Sequence, residues 1–150
     1  MNPYLEFLIV LCFLIPGAFL VYGIFRYTSC WNRLEKLYLT NSYKPSENFG
    51  LQWINIASPF DPSGTFNNFA WTIKVGADRA GVFISGFGRF DPVFRPILIP
   101  WDELMIVEQS FIGLQRSELI STKLPEIQLI ISKSLAQRLE QIRERFEQNG

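Results

Sequence analysis

The chain contains no histidine. That one absence removes Ser-His-Asp and Cys-His nucleophile pairs, imidazole zinc sites and His-Glu-x-x-His proteases. Acid–base chemistry would then fall to carboxylates, of which Asp102, Glu103 and Glu108 form the nearest cluster. Asp102 and Glu103 are adjacent, so on a strand they point to opposite faces and do not converge on one substrate. The plain reading is solvated surface charge; an enzyme using Asp102 or Glu108 as acid or base is the third of three functional readings. Cys12 and Cys30 are the two cysteines. On one helix they would stand roughly 27 Å apart, too far for a disulfide. Cys30 is read as a small apolar filler, with palmitoylation as the alternative. Ser85-Gly86-Phe87-Gly88 contains a lone Gly-x-Gly, but no long helix follows to present its N-terminus to a phosphate. No catalytic residue, cofactor or metal is assigned.

The remaining chemistry is contact chemistry. Phe60, Phe66 and Phe69 lie in or beside one connection; Phe87, Phe90 and Phe94 lie in or beside another, with Arg89, Arg95, Pro92 and Pro96 among them. Protein interfaces enrich aromatics and arginine, and loops rarely hide so many phenylalanines. The candidate partner-binding residues are therefore Phe87, Arg89, Phe90, Phe94, Arg95, Phe60 and Phe66. The alternative is that these rings fold back as a lid on a small core.

Charge sets further bounds. Fourteen basic residues balance fourteen acidic ones over 150 residues. Residues 1–45 hold four basics against two acids, and the remainder holds ten against twelve. A mildly acidic domain is not drawn to nucleic acid by its net field. Phe87-Gly88-Arg89-Phe90 has the look of an RNA-recognition aromatic motif, but RNA binding needs a basic surface as well. No nucleic-acid partner is expected.

The elements that would position these residues begin with an apolar stretch. Phe7 to Phe25 carries no charged side chain, and its 19 residues would span roughly 28 Å as a helix, close to a bilayer's hydrocarbon core. The residues before it include no basic side chain, unlike a secretory signal. The expectation is an uncleaved transmembrane helix over 7–25 after a short tail, 1–6. Pro16-Gly17 marks either a tolerated kink or a bend that docks on a partner helix. Arg26, Arg33 and Lys36 after the span place the N-terminus outside and the C-terminal domain in the cytoplasm, at the cell (inner) membrane. Trp31, Leu34 and Tyr38 recur at helical spacing, giving an amphipathic helix over 26–39 at the membrane surface, with Arg26, Trp31, Arg33 and Lys36 at the interface. Residues 40–48 read as a linker.

From residue 49 the period changes. Trp71, Ile73 and Val75 alternate with Thr72 and Lys74, and Ala77 to Gly81 supplies a turn into Val82–Phe87, which together predict a hairpin. Leu51–Ala57 is a further strand, closed by Asp61-Pro62-Ser63-Gly64 as a type I turn. Ile97–Ile99, Met105–Glu108, Phe111–Gln115 or its continuation, and Ile127–Ile131 are short candidates. Ser134 and Gln137 make a capping-box signature for a helix over 134–148, with Leu135, Leu139, Ile142 and Phe146 on one face.

Six or seven short strands closed by one C-terminal amphipathic helix resemble a pleckstrin-homology-like barrel. Trp31 to Tyr38 and Ile-Leu-Ile-Pro-Trp-Asp-Glu-Leu at 97–104 are similar to uncharacterised small bacterial single-pass membrane proteins with a compact β domain. The expected fold class is thus an N-terminal transmembrane α-helix plus an α+β domain, a pleckstrin-homology-like β-barrel or sandwich of six or seven strands with that helix. The resemblance raises phosphoinositide binding, but the loop 58–68 has one acid and no Lys or Arg, so no headgroup binding is expected. The leading functional expectation is a non-catalytic, membrane-tethered binding or accessory module that contacts another membrane protein. The second is a permanent structural subunit assembled through the transmembrane helix.

Overall fold

The computed structural model describes residues 30–41, 43–57, 69–86, 94–111 and 114–148, with the side chains of 69–71, 109–111 and 114–115 left aside. A short helix, α1 (Cys30–Tyr38), precedes seven strands: β1 (Glu47–Ala57), β2 (Phe69–Asp78), β3 (Gly81–Ser85), β4 (Ile97–Pro100), β5 (Leu104–Phe111), β6 (Leu114–Ser121) and β7 (Leu124–Ser132). A 3₁₀ turn, Trp101–Glu103, joins β4 to β5, and a helix, α2 (Lys133–Gln148), ends the described chain.

All described pairings are antiparallel, and the sheet runs β4-β3-β2-β1-β7-β6-β5. The hairpin β2–β3 turns where Asp78 Oδ1 accepts the Ala80 N–H at 2.8 Å. Gly81 follows at φ 152°, and a Cβ there would run into the carbonyl of Ile99 on β4. Glycine is the residue that fits both demands.

Side chains on one face of the sheet form the core. Ile54, Ile73, Val75, Val82, Ile84, Ile97, Ile99, Leu119, Leu129 and Ile131 are all buried there. α2 lays Leu135, Ala136, Leu139 and Ile142 into this layer. Its N-terminus is capped by Ser132, whose Oγ accepts the Leu135 N–H at 3.3 Å. The cap expected at Ser134 is one residue inside the helix instead.

The sheet is open, which corrects the pleckstrin-homology-like barrel expected from the element order. Closure would require β4 and β5 to pair, and they stand at opposite edges. The reason lies in α1 and the residues after it. Leu39 forms a bridge with Ile97, and the Thr40 N–H donates to the Pro96 carbonyl at 3.0 Å, so the outer edge of β4 is already taken. Trp31, Leu34 and Tyr38 join the same core cluster as the sheet.

α1 therefore belongs to the domain core, which corrects its expected place at a membrane surface. Trp31 is buried edge-on against Phe94, ring centroids 5.1 Å apart, and its indole N–H donates to the Arg95 carbonyl at 3.3 Å. Arg33 pairs with Glu126 on β7. Lys36 is exposed. The single-pass inner-membrane assignment is corrected as well: among the described residues no helix is long and apolar enough to cross a membrane. The stretch 7–25 on which that assignment was placed, and Arg26, lie outside the described residues.

Candidate functional site

Of the partner-binding residues singled out from sequence, Phe94 and Arg95 fall among the described residues. Phe60, Phe66, Phe87, Arg89 and Phe90 lie outside the described residues. Phe94 is a core residue, buried against Trp31. Arg95 has an exposed side chain, but its backbone is held by α1: its N–H donates to Glu35 Oε1 at 3.2 Å, and its carbonyl accepts from Trp31. Asp102 sits in the 3₁₀ turn, while Glu108 lies opposite Ser117 on β5. About 13 Å of extended strand separates Leu104 from Glu108, so these two carboxylates do not share a substrate position.

The carboxylate that does enter a network is Glu103. The Tyr38 hydroxyl donates to Glu103 Oε2 at 2.9 Å and stands 2.5 Å from Ser121 Oγ, which in turn accepts the Lys123 N–H at 3.2 Å. With its own proton directed at Glu103, Tyr38 accepts from Ser121. Lys123 Nζ closes the set on Glu103 Oε1 at 2.6 Å. Lys123 and Tyr38 together hold the Glu103 carboxyl below its usual range, and burial pushes the Tyr38 phenol up. This arrangement ties α1 to the start of β5 and to the β6–β7 turn. Ser121 and Tyr38 are both buried, and the groove of about 340 Å³ between β1 and α2, lined by Glu47, Asn48, Phe49, Arg138, Gln141 and Ile142, shares no residue with it. The network reads as a clasp.

The opposite face of the sheet carries the more unusual chemistry. Alternation along β1 sends Ile54 and Ile56 into the core and Leu51 and Trp53 outward. Trp53 is 71% exposed and Leu51 45% exposed. Their cross-strand partners on β2 are Thr72 and Lys74, which leave the indole uncovered. β1 is the middle strand of seven. β7 pairs with β1 only at Asn55–Ala57, so at Trp53 the strand pairs with β2 alone among the described residues, and the indole stands in solvent.

Pairing register extends this face toward β5. Asn55 opposes Ile130, Ile130 opposes Glu118, and Glu118 opposes Val107, so the four form one row. The next row carries Ala57, Gln128, Ile120 and Met105. Met105 is 44% and Val107 37% exposed. Between Val107 and Ile130 sits Glu118, only 6% exposed, with Oε2 lacking a hydrogen-bond partner among the described residues. Burial raises its pKa. At the other end of the sheet the face is covered. Tyr43 stacks at a tilt on Phe83, and Pro45 lies so close over Gly76 that a Cβ there would strike its ring. The open half thus runs from β1 to β5.

Two features of the sequence mark this face. The first is Leu51-Gln-Trp53 on alternate positions of a strand whose other face is also apolar. The second is Glu118 between Arg116 and Ile120, on β6, which the candidate at Phe111–Gln115 overlaps at its start. Comparison of the chain with protein-family models, curated proteins and solved structures gave no match, so the site stands on its own geometry.

Proposed function

We propose that this protein is a non-catalytic binding module that docks another protein on the open half of its sheet, with Trp53 at the centre of the contact. The observation that carries this reading is the exposure of Trp53 on β1, with Leu51 exposed on the same face. An indole held by a β-strand offers a large rigid apolar surface with little side-chain entropy left to lose, and such residues dominate interface energetics. Polar groups rim it: Lys74 and Thr72 on β2, Asn55 on β1. A polar rim around an aromatic anchor is the layout of a protein interface.

The contact surface in this reading is a sheet face rather than the loop aromatics. Phe94 supports the core, and Phe60, Phe66, Phe87 and Phe90 lie outside the described residues.

Trp53→Ala tests the reading. Because the ring is exposed, unfolding stability should change by less than about 1 kcal/mol. A protein that co-purifies with the wild type should be lost from the variant at unchanged melting temperature. A co-purifying partner retained by folded Trp53→Ala would overturn the reading.

A further inference from the structure

Trp53 marks where a partner would sit; β5 and Glu118 indicate what it would be made of. β5 is the terminal strand of the sheet, eight residues long, and among the described residues it pairs with β6 alone. Native sheets blunt such edges with lysine, proline, bulges or a covering segment. The sequence Leu-Met-Ile-Val-Glu-Gln-Ser-Phe has no lysine and no proline, and its pairing with β6 shows no register shift. The other edge is treated differently: β4 ends in Pro100 and has Leu39 bridged to it. Among the described residues one edge is closed and the other is left unpaired.

Beside the open edge, Glu118 supplies the second observation. Its side chain is almost wholly buried between Val107 and Ile130, with one oxygen unpartnered. Arg116, two residues earlier on the same face, is exposed and forms no ion pair among the described residues. Glu108, the single ionisable side chain of β5 itself, lies on the other face, opposite Ser117. A buried carboxylate without a donor is costly, and a cation arriving with a partner would make a strong charge-assisted bond to it.

We infer that β5 accepts an extended peptide strand from the partner, carrying a lysine or arginine opposite Val107 with apolar residues two positions to either side. This inference deepens the binding-module reading and rests on it. Strand addition would complete the backbone hydrogen bonds of β5, and one of the flanking apolar residues would cover Met105. An added strand places its central residue two strand spacings, about 9.6 Å, from β6. That gap is within the combined reach of a long basic side chain and the glutamate.

The test is a fluorescence-anisotropy titration of the full chain with a labelled peptide of alternating valine and threonine bearing one central lysine. The same peptide with norleucine at the centre, and a third with N-methylated backbone amides, serve as comparisons. The wild type should prefer the lysine peptide by about tenfold, the size of one charge-assisted bond. Glu118→Gln should bind the lysine and norleucine peptides alike, and the N-methylated peptide should not bind. Equal affinity of the wild type for the first two peptides would overturn the inference. So would a lysine preference that survives in Glu118→Gln, or undiminished binding of the N-methylated peptide. The peptide-side comparisons hold whether or not a protein variant folds. Loss of a co-purifying partner in Trp53→Ala, with no lysine preference in the wild type, would fail strand addition alone and leave the sheet-face reading standing.

Discussion

Glu118 is the residue whose environment and chemistry disagree most. Burial raises its pKa above the ordinary carboxylate value, so the folded state binds its proton more tightly than the unfolded chain does. In the window above the unfolded value of 4.5, the native state holds more protons than the unfolded state, and stability falls as pH rises through the folded pKa. The carboxylate therefore weakens the fold near neutrality and stops doing so in acid. Glu118→Gln should be more stable than wild type at pH 7, by about 1 kcal/mol, and lose that advantage near pH 4. Urea unfolding at the two pH values reads this directly. An equal or lower stability of the glutamine variant at pH 7 would show that the carboxylate has a donor. Glu103 behaves in the opposite sense: its lowered pKa means that the Tyr38–Glu103–Lys123 clasp contributes above about pH 4.5 and is lost in acid.

At the scale of elements, α1 decides the shape of the sheet. Its apolar positions Trp31, Leu34 and Tyr38 were legible as one helical face from their spacing. What that face packs on was not, because a buried face and a lipid-facing one have the same period. The structure resolves this through contacts far away in sequence: Phe94, the Arg95 carbonyl and Ser121. Trp31→Ala should cost about 3–5 kcal/mol in chemical denaturation, as expected for a core tryptophan. A loss below 1 kcal/mol would mean that α1 docks only superficially. Other elements were easier to read. Trp71 to Val75 falls within β2 because strict alternation has no competing helical period. Leu135, Leu139 and Ile142 are buried on α2 as their spacing requires. The candidate at Phe111–Gln115 reaches only the start of β6, because Ser117 and Ser121 take inward positions, both buried, while Glu118 sits on the outer face. Small buried hydroxyls break the apolar alternation that identifies a strand.

At the scale of the whole molecule, one face of the sheet is sealed by two helices and the other is divided. Tyr43 and Pro45 lie over the β2–β3 end, while the β1–β5 half keeps an exposed indole, two exposed aliphatic side chains near the edge and a buried carboxylate. The candidate site was hard to find from sequence because it belongs to no loop or motif. It is made by register, which brings residues 53, 107, 118 and 130 onto one surface from four strands. The sheet-face reading is tested most directly by placing a photo-crosslinking benzoylphenylalanine at position 53 and, as a control, at exposed Glu144 on α2. A discrete protein adduct formed from position 53 and not from 144 is the expected result; equal labelling from both positions, or none from 53, would contradict it.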